Sequence, residues 1–181
     1  MKRLHQILSL AIAFLLTAGM AACSSAETKP DGEKTEEKTG ENAASAAKGA
    51  EETVGNFKLI VPDGWRAEKG SLIDKADENA FALFTSSDAM KQIRVSVNTE
   101  EIAAANVEMT RERNEDYLPH DVTLEAGGKT FRGVSYSYSS KDDCFQIYAL
   151  FGEKAVVVQG SFCACNSELI QGILASLEYN G

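Results

Sequence analysis

Three features of the sequence predict an α+β domain, an antiparallel β-sheet flanked by helices. Short apolar or alternating runs bounded by Gly, Pro and Asp recur over residues 56–98 and again over 122–162. A helix-period segment separates the two groups, and a second one closes the chain. Strands, a long helix, a meander and a helix, in that order, suit a sheet whose faces are covered by helices.

Two segments precede that domain. Lys2 and Arg3 form a charged start, and Ile7 to Leu16 an apolar run too short to cross a bilayer as a helix. Leu16 to Cys23, reading Leu-Thr-Ala-Gly-Met-Ala-Ala-Cys, forms a lipobox. Ala21 and Ala22 fit a signal-peptidase groove, and the cysteine after them takes a lipid. Met20 stands where Leu is usual. Residues 1–22 are therefore expected to be a lipoprotein signal peptide, and Cys23 the lipidation site. Each buried methylene of its acyl chains contributes about 0.8 kcal/mol to the anchor. Residues 23–52 are expected to be the lipidated cysteine and a disordered acidic tether, because Ser24 to Glu52 contains no aromatic residue and no Val, Ile, Leu or Met. Such a segment spans roughly 30 Å when flexible.

Residues 53–181 are the size of one domain with a core of its own. The chain carries −9. Loss of Lys2 and Arg3 leaves −11, of which −7 falls on the domain. That balance argues against nucleic acid as a partner and against electrostatic adhesion to anionic lipid, leaving the lipid on Cys23 as the membrane contact.

The first domain strand is Asn56 to Val61, with Phe57, Leu59 and Val61 on one face and Pro62-Asp63-Gly64 as its stop. Trp65 follows, opening a short strand to Lys69; Leu72-Ile73 starts another extended piece. Ala80 to Thr85 and Gln92 to Asn98 are strands, the latter alternating Ile93, Val95 and Val97 with Gln92, Arg94, Ser96 and Asn98. From Thr99 to about Tyr117 the period becomes helical, with Ile102, Ala105, Met109 and Tyr117 on the expected apolar face and Asn98 or Thr99 as cap. Val122 to Ala126 and Lys129 to Tyr138 form a hairpin around Gly127-Gly128. Cys144 to Phe151 and Ala155 to Phe162 form a second. Asn166 or Ser167 caps a last helix striped by Leu169, Ile170, Ile173, Leu174 and Leu177.

Phe57 to Trp65 (Phe-Lys-Leu-Ile-Val-Pro-Asp-Gly-Trp), the strand Ile93 to Val97 and the closing Ile173-Leu174-Ala175-Ser176-Leu177 together resemble the PsbP/Mog-type fold. The resemblance covers most of Phe57 to Tyr179 and implies an α/β/α sandwich with an accessory or binding role. It carries over no catalytic residue. Trp65 is the matching residue with a candidate binding role; packing against the turn is the alternative.

No catalytic residue, metal site or cofactor is expected. Gly128-Lys129-Thr130 lacks the preceding glycine and following helix of a phosphate loop. His120 lies in a loop without a nucleophile elbow anywhere in the chain, and Asp142-Asp143 is ordinary turn chemistry. Cys144, Cys163 and Cys165 form the one cluster with chemical content. A Gly152-Glu153 turn sets Cys144 opposite Ser161, whereas a four-residue loop sets it opposite Cys163. Continued alternation places Cys163 and Cys165 on the face of Cys144. Three states compete: a cross-strand disulfide with one cysteine to spare, three packed thiols, or a redox or metal site. The expected function is a membrane-anchored extracytoplasmic lipoprotein that binds a protein or small-molecule partner. The alternative is a thiol-active lipoprotein using Cys144, Cys163 and Cys165.

Overall fold

The computed structural model describes residues 48–70, 74–85, 91–138 and 143–181, all within the compact unit Glu41–Gly181. The lipobox, Cys23, most of the tether, Leu72-Ile73 and Asp142 lie outside the described residues.

The chain opens with β1 (Gly49–Val54), β2 (Phe57–Pro62), β3 (Trp65–Lys69), β4 (Ala80–Thr85) and β5 (Gln92–Asn98). Helix α1 (Glu100–Arg113) and a 3-10 turn (Glu115–Tyr117) lead to β6 (His120–Ala126), β7 (Lys129–Tyr136), β8 (Cys144–Phe151) and β9 (Lys154–Ser161). Helix α2 (Glu168–Ser176) and β10 (Glu178–Tyr179) finish it. All strand pairs are antiparallel, and they make two sheets: β1-β2-β10, and the seven-stranded β3-β4-β5-β9-β8-β7-β6. The fold is α+β.

The β8-β9 hairpin inserts between β5 and β7, so α1 must cross three strands to carry the chain from β5 to the far edge strand β6. It lies on β7, β8 and β9 as it crosses. There Ala103 and Val107 pack on Val134, Tyr148, Ala155 and Val157. The opposite face of the large sheet carries the main core, where Phe131, Phe145 and Ile147 meet Phe57 and Leu59 of β2 and Ile170, Ile173 and Leu174 of α2. Each such fully buried side chain stabilises the fold by about 1.5–3 kcal/mol.

The apolar face expected of α1 is wrong. Ala103 is 0% exposed and Val107 is buried, whereas Ile102 and Met109 are 49% and 41% exposed. A helix laid over Tyr148 and two valines leaves room only for small side chains, so the seam is the i, i+4 pair Ala103 and Val107. Thr99 caps it as anticipated, its hydroxyl accepting from the Ile102 N–H. The last helix follows its expected stripe, with the Ser167 hydroxyl accepting from the Ile170 N–H.

β1 takes in Gly49 to Glu52, which composition assigned to the tether. Its side chains are exposed up to Val54, and the ladder to β2 holds it, with Glu51 2.9 Å from Lys58. A strand held by backbone bonds at a solvated edge leaves no apolar signature. The Gly127-Gly128 hairpin forms as expected, both glycines having positive φ (57° and 70°) as a type I′ turn requires. A Cβ on Gly127 would lie 2.5 Å from the Ala175 carbonyl oxygen of α2.

Candidate functional site

The Gly152-Glu153 turn sets the register of the second hairpin: Phe151 pairs with Lys154, and Cys144 faces Ser161. The expected sharing of one face by all three cysteines fails at the next residue. Phe162 has φ 55°, a left-handed conformation that breaks the alternation. Its ring stands edge-on to Tyr138, and Cys163 and Cys165 turn into the main core. Cys144 remains beside Tyr136 on the side of α1. All three are buried, and no disulfide joins them. The Cys163 sulfur lies 3.3 Å from the Ser161 carbonyl oxygen. Burial raises the Cys144 pKa and holds its sulfur as a thiol, the opposite of what thiol chemistry needs.

Trp65 is half-buried and packs, with Ala67, against the main core. It closes the Asp63-Gly64 turn, where Gly64 has φ 79°. His120 opens β6 at the surface. The Asp143 carboxylate accepts from the Tyr138 N–H at 3.0 Å, and the Asp143 carbonyl from the Cys163 N–H at 2.7 Å. Among the described residues no group of three or more His, Cys, Asp or Glu is placed to hold a metal.

Where α1 stops covering the sheet, a groove opens. The strands β3, β4 and β5 turn Glu68, Ala82, Phe84, Gln92, Arg94 and Ser96 toward a space of about 530 Å³, bordered by Gly70 and Lys75. Phe84 and Ala82 give it an apolar floor, and the Arg66 guanidinium lies 4.0 Å from the centre of the Phe84 ring. Lys69 is ion-paired with Glu78.

The groove continues under the end of α1 into a polar recess of about 240 Å³, the two sharing Arg94 and Gln159. Arg94, Arg113, Thr110, Asn114, Tyr136 and Ser161 line the recess around the side chain of Gln146. Gln146 is only 3% exposed. Its amide oxygen accepts from the Thr110 hydroxyl at 2.9 Å and from the Gln159 amide. Arg94 donates through Nε to the Gln92 side-chain oxygen at 3.2 Å. The Tyr136 hydroxyl has its pKa pushed up to about 12, chiefly by burial and then by the adjacent Cys144. It is a neutral hydrogen-bonding group at physiological pH.

A second space of about 530 Å³ lies between α1 and the β6-β7 hairpin, but its arginines are engaged: Arg111 pairs with Asp121, and Arg132 with Glu100. Among the described residues no ion pair involves Arg94 or Arg113. That contrast selects the groove and recess as the candidate site. The sequence signalled part of it, since alternation in β5 put Gln92, Arg94 and Ser96 on one face. Gln146 and Gln159, each interrupting an apolar strand and paired across β8 and β9, were a further signal.

No family model and no curated protein matches the chain. Solved structures similar to it include the following two. One is a crystal structure at 1.50 Å of a protein from Bacteroides thetaiotaomicron VPI-5482, 11% identical with a TM-score of 0.40 over 74% of this chain and 49% of that one. This chain thus spans about half the length of that protein. The other is the solution structure of cyanobacterial PsbP (CyanoP) from Synechocystis sp. PCC 6803, 7% identical with a TM-score of 0.43 over 68% of this chain and 86% of that one. Both TM-scores lie below 0.5; the α+β class rests on the strand order and the two helix-covered faces.

Proposed function

We propose that the chain is a lipid-anchored extracytoplasmic lipoprotein whose domain is a non-catalytic binding module, holding a small molecule in the groove beside α1. The groove carries this reading: an open half of a sheet face with an apolar floor and a polar end is the form small-molecule sites take. The lipobox supports the location, and the PsbP/Mog-like strand, turn and helix suit an accessory role rather than an enzymatic one. Among the described residues no helix is long and apolar enough to cross a membrane. In this reading Cys23 supplies the anchor.

Two measurements test it. Metabolic labelling with palmitate is expected to mark the wild-type chain and not Cys23→Ala, which is expected in the soluble extracytoplasmic fraction. Retention of the variant in washed membranes would overturn the anchor. An NMR fragment screen on the soluble Cys23→Ala chain is expected to move signals around Phe84, Arg94 and Gln159. Hits scattered over the surface would overturn the groove as the ligand site.

A further inference from the structure

We infer that the groove takes a small molecule with an oxyanion at one end and an apolar body, the oxyanion lying between Arg94 and Arg113 and the body over Ala82 and Phe84. The inference rests on the reading of the groove as the ligand site. Its first support is charge placement. In a domain of net charge −7, the recess is lined by two guanidinium groups and by no carboxylate. Every other arginine within reach of a carboxylate on this side of the sheet is paired: Arg66 with Glu68, Arg111 with Asp121 and Arg132 with Glu100. A guanidinium group matches a carboxylate or phosphate in geometry as well as charge, and two of them lining one recess favour an anion over a neutral or cationic guest.

The second support is the recess itself. An anion near the C-terminus of a helix meets the negative end of its dipole. Here that end is capped: the Asn114 side-chain amide donates to the Thr110 carbonyl at 2.7 Å, and the Asn114 N–H to the Arg111 carbonyl at 3.2 Å. Gln146, almost fully buried, has its amide oxygen satisfied by the Thr110 hydroxyl and the Gln159 amide, so that acceptor already has its partners. The Tyr136 hydroxyl, hydrogen-bonded to Cys144, adds a neutral polar group to the lining. The third support is dimension. A recess of about 240 Å³ suits a carboxylate or phosphate head, and the adjoining groove of about 530 Å³ suits an apolar or aromatic body.

The test titrates the full mature chain carrying Cys23→Ala with phenyl phosphate, benzyl alcohol and inorganic phosphate, following backbone amide shifts. Phenyl phosphate is expected to move the signals of Gln92 to Ser96, Thr110 to Asn114 and Gln159 to Ser161, and to bind at least about tenfold more tightly than benzyl alcohol. Arg94→Gln and Arg113→Gln are each expected to weaken it about tenfold or more while the rest of the spectrum stays in place. Phe84→Ala is expected to weaken phenyl phosphate and to leave inorganic phosphate unchanged. Equal binding of benzyl alcohol in the groove, or indifference to both arginine variants, would overturn the ligand class while leaving the groove as a site. No groove shifts with any probe at about 10 mM, where a millimolar site is largely filled, would overturn the site itself.

Discussion

Tyr136 and Cys144 face each other across β7 and β8, and both have pKa values raised first by burial. A folded-state pKa above the unfolded one means stability that is complete below the unfolded value and is lost as pH rises through the folded one. For Tyr136 that window runs from 10.0 to about 12. Alkaline unfolding is therefore expected to steepen across it, and Tyr136→Phe to flatten the slope there; an unchanged slope in a pH series of denaturant melts would refute this. Gly160 shows a different kind of residue-level constraint. A Cβ there would collide with the Phe145 ring, which fills the space of the missing side chain in the main core. Gly160→Ala is expected to cost about 1–3 kcal/mol, read as a fall in denaturant midpoint at constant slope. Residues such as these explain where the sequence stopped being legible. The register of β8 on β9 was one of two that turn chemistry allowed, but the left-handed Phe162 that sends Cys163 and Cys165 to the other face is set by tertiary packing against Tyr138 and has no marker in residue type.

At the scale of elements, strands announced themselves by alternation and turns by glycine, so β4, β5 and β8 have the expected bounds. Helix α1 was visible, but its buried seam was not. The larger apolar side chains had suggested the face, and the crossing over Tyr148 selected the smaller ones instead. Ala103→Leu is accordingly expected to destabilise by about 1–3 kcal/mol through overpacking, whereas Ile102→Ala should stay within about 0.5 kcal/mol. The reverse order in thermal melts would restore the original face. β1 makes the opposite case, an element with almost no core of its own. Starting the chain at Thr53 removes most of β1 and leaves the β2 edge unpaired in the small sheet. Such a truncation is expected to lower Tm by several degrees and to raise aggregation. Equal melting of the two forms would show that the ladder contributes nothing.

At the scale of the whole molecule, the seven-stranded sheet separates two apolar layers of unequal size and belongs to both. The strands β8 and β9 give Phe145, Ile147 and Val158 to the α2 side and Tyr148 and Val157 to the α1 side. Helix α1 lies directly on those strands, and α2, packed on β2 and β6, shares one main core with them, so the layers are expected to unfold together rather than in turn. The groove follows from the same geometry. One helix crosses from β5 to β6 over three strands, and the rest of that face is left to polar side chains and Phe84. The alternation in β5 foretold a polar face, but only the insertion of β9 beside β5 shows that Gln159 and Arg94 share one recess. Val107→Ala on the α1 side is expected to cost about 1–3 kcal/mol, and Ile173→Ala on the α2 side about 2–5 kcal/mol. Each should lower a single transition seen alike by far-UV and near-UV circular dichroism. Two transitions, with Val107→Ala moving only one of them, would mean that α1 and the groove it borders melt apart from the main core.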